Sequence, residues 1–232
     1  MRQFARILGV LLIVAGTLTL AWVVVVWQWQ DPFTAIYTHI QQNRLAHTYE
    51  KRVRAYHPRP VPTHVDLAAV ERQIAAEARS YRRGLHTGDP VGRLRIGRIG
   101  LEMVVVEGTD HETLKKGPGH YEPSAVPGEG HLIYVAGHRT TYLAPFAHIN
   151  DIRPGDYVKF SLPYATFTYR VQRHYIVKSD QLSVLEDHGS EILRLQACHP
   201  RFFATHRYIV DARLVSFTLT GGRTYAATSA TS

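Results

Sequence analysis

This sequence predicts a mainly β domain, a barrel or a two-sheet sandwich, set behind an apolar N-terminal helix and a helical linker. Three observations lead there. From about residue 91 the apolar period is two: Phe167, Tyr169 and Val171 alternate with Thr168, Arg170 and Gln172, the pattern of a half-buried strand. Other runs of strand length recur at Leu101 to Val106, Leu132 to Ala136, Tyr157 to Leu162, Leu193 to Ala197 and Arg207 to Val215. Gly and Pro turns such as Arg153-Pro154-Gly155-Asp156 separate them, and helical signals in this half are short, Asp110 to Lys116 and Leu143 to Ile149.

The chain opens with Arg2 and Arg6, then runs uncharged from Ile7 to Trp27. A helix of about 20 residues crosses the hydrocarbon core of a bilayer. A cleaved signal peptide has a shorter apolar region and ends at small residues. Here the stretch ends in Val23 to Val26 with Trp27 and Trp29, the signature of an interfacial anchor. The two leading arginines place the N-terminus in the cytoplasm and the remainder outside; Lys51, Arg52 and Arg54 oppose this but lie too far from the anchor to decide it.

Phe33, Tyr37 and Ile40 at helical spacing predict a short helix over 33–56, leaving the membrane. His57-Pro58-Arg59-Pro60-Val61-Pro62 breaks it into an extended linker. Thr63 and Asp66 are spaced as a helix start, and Leu67, Val70, Ile74, Ala78 and Tyr81 form one apolar stripe, expected to pack on the following domain. The tail from Gly221 to Ser232 is small and polar and is expected to be disordered. The divisions are therefore 1–30, cytoplasmic N-terminus and anchor; 31–88, linker region; 89–220, β domain; and 221–232, tail. Removing everything before about residue 60 is expected to leave an active, soluble domain.

With 45% hydrophobic and 20% charged residues, a core can form. The net charge of +8 favours acidic surfaces, but the basic residues are scattered, which argues against nucleic acid as a partner. The single cysteine excludes an internal disulfide and a Cys-rich zinc site. His111-Glu112 lacks the second histidine of a zinc-protease motif, so no metal and no cofactor is expected.

A thiol attacks well only with a base or a depressed pKa. Cys198 ends the apolar strand Leu193 to Ala197, and a hairpin through Pro200 would bring Arg207 beside it. A guanidinium there could hold a carbonyl oxygen as it turns negative. His138 ends a second apolar strand, Ile133 to Gly137. His199 and His206 flank the cysteine loop and are rival bases; His199, adjacent in sequence, points away along a strand.

Tyr134-Val135-Ala136-Gly137-His138-Arg139-Thr140-Thr141-Tyr142, then Ala144-Pro145-Phe146, Pro154-Gly155-Asp156, and Cys198-His199-Pro200 with Ala204 and Arg207, resemble the blocks of the sortases, in particular class E. The resemblance covers residues 91–218. It implies an eight-stranded closed β-barrel on an N-terminal membrane anchor, facing the cell exterior. It further implies a cysteine transpeptidase that cuts a sorting signal of LAxTG or LPxTG form between Thr and Gly. The Thr carbonyl is held as a thioester and passed to an amine on a cell-wall precursor. The partners so implied are secreted proteins bearing the signal, that wall amine and the plasma membrane. Cys198 would be the nucleophile, His138 the acid/base and Arg207 the oxyanion holder. Tyr142 would favour Ala over Pro at the signal's second position. Ala197 would face substrate where relatives commonly have Thr, and Gly97 stands where relatives often have Pro. Two other readings compete. An L,D-transpeptidase would carry a Gly-Cys-Arg run, unlike Ala197-Cys198-His199, and a tethered β domain that only binds a partner predicts an unreactive Cys198.

Overall fold

The computed structural model describes residues 2–29, 32–57 and 66–227. Helix α1 (Arg2–Trp29) is followed by α2 (Pro32–Ala55) and α3 (Leu67–Arg83). The stretch Arg2–Val24 is long and apolar enough to cross a membrane, and none of it is buried against the rest of the protein. The expected linker residues 58–62 and Thr63 lie outside the described residues, as do the side chains of Trp27, Trp29 and Phe33.

The β half closes into a barrel. Its strands are β1 (Pro90–Ile96), β2 (Leu101–Glu107), β3 (Gly119–His120), β4 (Leu132–Gly137), β5 (Tyr157–Ser161), β6 (Ala165–Lys178), β7 (Ile192–His199) and β8 (His206–Leu219). They run in the order β6-β5-β1-β2-β3-β4-β7-β8, and β6 pairs back on β8 to close the eight strands into a barrel. Two pairings are parallel, β2 with β3 and β4 with β7. The alternation in β6 is real: Phe167, Tyr169 and Val171 point into a core shared with Leu94, Ile133, Leu195 and Val210.

Helix α3 starts where Asp66 caps the Ala68 N–H, and its stripe Val70, Ile74 and Ala78 is buried in that same core. Helix α2 also lies on the barrel. Leu45 and Tyr49 pack with Val104 and Val106, and Gln42 closes a two-way hydrogen bond with the backbone of Val104. The Tyr49 hydroxyl donates to Ser161, while Arg52 donates to Pro90 and pairs with Asp89. This overturns the expectation that everything before residue 60 is only a tether. The buried face of α2 holds Thr38, Leu45 and Tyr49, whereas Tyr37 and Ile40, which suggested the helix, face outward.

Two local expectations fail. Leu143 to Ile149 is not a helix: Tyr142, Leu143 and Ala144 take positive φ of 53°, 59° and 37°, and only Ile149–Asp151 forms a 3-10 turn. Asp110 to Lys116 shortens to α4 (His111–Leu114), capped by Asp110. The tail is ordered further than its composition suggested. A ninth strand, β9 (Thr224–Ala226), pairs with β8 and stacks Tyr225 on Phe217; residues 228–232 lie outside the described residues.

Candidate active site

The parallel β4–β7 ladder builds the site. Its last registered pair is Gly137 with Ala197, so the next residues are His138, just past the end of β4, and Cys198, the penultimate residue of β7, at one end of the barrel. The antiparallel β7–β8 ladder then sets Arg207 directly opposite Cys198. Leu193, Leu195 and Ala197 face the core, so the pleat turns Cys198 to the outer face, and its cross-strand partner Arg207 shares that face. Backbone pairing thus brings residues 138, 198 and 207 to one end of the barrel. An imidazole, a thiol and a guanidinium so grouped can transfer a proton, attack a carbonyl carbon and stabilise the resulting oxyanion.

Cys198 is a free, half-buried thiol. Nε2 of His138 is buried and has no hydrogen-bond partner among the described residues. The His138 pKa is lowered, first by burial and then by the nearby His111. A neutral ring with an unsatisfied nitrogen is a ready proton acceptor. Nη1 of Arg207 donates to the carbonyls of Ala204 (2.8 Å) and His206 (3.0 Å), which fixes the guanidinium to its own loop.

The rival base His199 is otherwise engaged. Its Nδ1 accepts from Arg139 at 2.9 Å, and its pKa is lowered by burial and then by that same guanidinium. His206 contacts the Thr205 hydroxyl through Nδ1. Ala197 is 1% exposed, with its methyl in the core beneath the site, so it offers substrate no surface. The ring of Tyr142 lies 5.2 Å from that of His138, at a tilt of 35°.

Arg139 is a member of the site that the sequence did not single out. It is buried, with Nη1 donating to the Cys198 carbonyl (3.2 Å) as well as to His199, and Nη2 donating to Asn150 Oδ1 (2.8 Å). One guanidinium thereby ties the loop after β4 to the strand end that carries the thiol. Arg201 adds a second tie, donating to the Ala147 carbonyl. Nothing in the spacing of Arg139 marks this role, because it depends on which loops the fold stacks together.

The loop after His138 is held from both sides. The Phe146 N–H donates to the His138 carbonyl at 3.0 Å, and the Tyr142 N–H donates to Thr34 of α2 at 3.2 Å. Three consecutive non-glycine residues at positive φ cost roughly 1–3 kcal/mol each, so these restraints matter.

Residues 94–215, more than half of the chain, match the family described as "Sortase domain". The chain is 37% identical over 134 residues to sortase D of Bacillus subtilis, taking in 56% of this chain and 66% of that protein's length. The fold superposes on the Clostridium perfringens sortase D5 transpeptidase with a TM-score of 0.61 at 22% identity, over 75% of this chain and 98% of that one. It also superposes on sortase E from Streptomyces avermitilis with a TM-score of 0.53 at 33% identity, over 58% and 93%.

Proposed function

This chain belongs to the sortase family of cysteine transpeptidases, and from that premise we propose that it cuts a C-terminal sorting signal of LAxTG or LPxTG form at the cell surface, between Thr and Gly. The observation that carries this reading is the in-register β4–β7 pairing, whose last pair is followed by His138 on one strand and the chain's one cysteine on the other.

His138 takes the thiol proton of Cys198, the thiolate attacks the Thr carbonyl carbon, and the oxyanion forms beside Arg207, the cross-strand neighbour of Cys198. The C–N bond breaks as His138, now carrying a proton, protonates the departing Gly nitrogen, leaving a Thr thioester on Cys198. An amine of a cell-wall precursor then attacks the thioester and gives a proton to His138, and the thiolate leaves. Protein is thereby joined to the wall.

Helix α1 serves as a single-pass anchor, its N-terminus cytoplasmic and residues 89–220 outside, with secreted signal-bearing proteins as substrates. Tyr142, beside His138, supports a class E preference for Ala over Pro at the second signal position. An amide N–H there can donate to the phenol oxygen, and proline has none. Losing such a buried bond costs about 1–3 kcal/mol, or roughly five- to 150-fold in selectivity.

The test is incubation with LAxTG and LPxTG peptides plus an amine acceptor, followed by mass spectrometry. A thioester adduct on Cys198, an amine-linked product and faster cutting of the alanine peptide are expected. Cys198→Ala should show neither adduct nor product while melting as wild type does. An adduct in that variant would sink the nucleophile assignment, and an unreactive wild-type thiol would favour a purely binding role.

A further inference from the structure

The path of the chain from α1 to the site says which end of the barrel faces the membrane. Trp29 ends α1 and Pro32 begins α2. Five residue steps separate Trp29 from Thr34, a reach of at most about 18 Å. Thr34 accepts a hydrogen bond from the Tyr142 N–H, and the Tyr142 ring lies 5.2 Å from the ring of His138. Thr38, one turn on, donates to the Lys115 carbonyl, close to α4. Only later does α2 reach the strand bodies, with Tyr49 at Ser161 and Arg52 at Pro90. The helix therefore enters at the catalytic end and runs away from it. The membrane end of α1 is tied to the catalytic end of the barrel through Thr34.

That same end carries an apolar pair with no packing explanation. Phe202 and Phe203 sit at the tip of the β7–β8 loop, four and five residues past Cys198, and are 66% and 77% exposed. Arg201 precedes them and is also exposed. Two adjacent exposed phenylalanines beside a cation form the composition of an interfacial membrane contact. Such a pair would not be expected on a surface facing bulk water.

We propose that the mouth of the site lies against the outer face of the bilayer, with Phe202 and Phe203 inserted at the headgroup–acyl boundary. This rests on the reading of α1 as a membrane anchor. It would present Cys198 to substrates that are themselves held at the membrane, and it would shield the thioester from bulk water during transfer.

The test uses the full chain with Cys198→Ala and a single introduced cysteine, Phe203→Cys or Phe202→Cys. Each carries a nitroxide and is reconstituted into vesicles of phosphatidylcholine and phosphatidylglycerol. His188→Cys is the reference: it is exposed and lies just before β7, at the opposite end of the barrel. Flotation shows whether the chain is anchored, and collision with oxygen against a water-soluble nickel chelate reports lipid contact. The expected result is flotation, with an oxygen-to-nickel accessibility ratio several-fold higher at 202 or 203 than at 188. Flotation with equal ratios at all three positions overturns the orientation while leaving the anchor intact. Protection of 203 only after a sorting peptide is added assigns the pair to peptide binding and also overturns it. A chain that does not float removes the anchor reading and this inference together.

Discussion

Replacing Gly137 with alanine should disable the site without removing any polar group from it. Gly137 is the last residue of β4 and the one before His138, and its backbone is ordinary extended strand. Alanine's conformational preferences are therefore not at issue. Space is: an added Cβ would lie 2.6 Å and 2.9 Å from two ring carbons of Phe146 and 3.1 Å from Pro145 Cγ. Carbon atoms pack at about 3.5–4.0 Å, so something must move by roughly 1 Å. Phe146 cannot swing away, since it is fully buried and its N–H is bonded to the His138 carbonyl. Either the Phe146 loop or His138 shifts. Overpacking of this kind costs about 1–3 kcal/mol, which for a chain of this size lowers Tm by about 2–12 °C. A displacement near 1 Å at a reacting group costs on the order of a hundredfold in rate. The assay pairs thermal melts with kcat/KM on a sorting peptide. Phe146→Leu should restore part of both losses in the double variant, because the two residues share the clash. A Gly137→Ala enzyme with wild-type Tm and kcat/KM would refute the claim that this close approach sets the position of His138.

Other perturbations probe the remaining supports. Arg139→Lys keeps a charge but cannot hold the Cys198 carbonyl and Asn150 together through one planar fork; kcat/KM should fall about tenfold, and an unchanged value with an unchanged thiol-alkylation pH profile would exclude a positioning role. Deletion through residue 30 should preserve activity, whereas deletion through residue 56 strips Leu45 and Tyr49 from the barrel and should lower Tm by on the order of 10 °C, with equal melts counting against the packing of α2. The depressed pKa of His138 means that the unfolded chain binds a proton first as pH falls. Its contribution to stability is full above the unfolded value of about 6.5 and is lost between there and the folded value. His138→Gln should remove that part of the Tm–pH curve, and an unaltered curve would contradict burial of the ring. His111→Gln removes a repelling charge from an exposed position, so the acidic limb of kcat/KM should move up toward 6.5, and a fixed limb would show that burial alone sets it.

The sequence by itself determined the elements and their chemistry. A period of two from residue 91, turn residues at Pro154-Gly155 and the stripe on α3 follow from local rules, and β6, the turn before β5 and α3 occur where those rules put them. Cys198, His138 and Arg207 stood out because each polar group closes or opens an apolar strand. The Cys198–Arg207 pairing was legible because a hairpin is a local structure. Tertiary structure decided the rest, wherever the partner is distant in the chain. The parallel β4–β7 pairing sets His138 beside Cys198, and no local signal specifies which strands will neighbour one another. The same pairing fixes the pleat, which sends the Ala197 methyl into the core while Cys198 faces out. Arg139 became part of the site only when the β4–β5 loop was packed on the end of β7. The exposed Tyr37 and Ile40 suggested α2, yet its buried face is Thr38, Leu45 and Tyr49, because burial is settled by the surface a helix meets. The tail likewise gained a strand only because β8 had an edge left to pair.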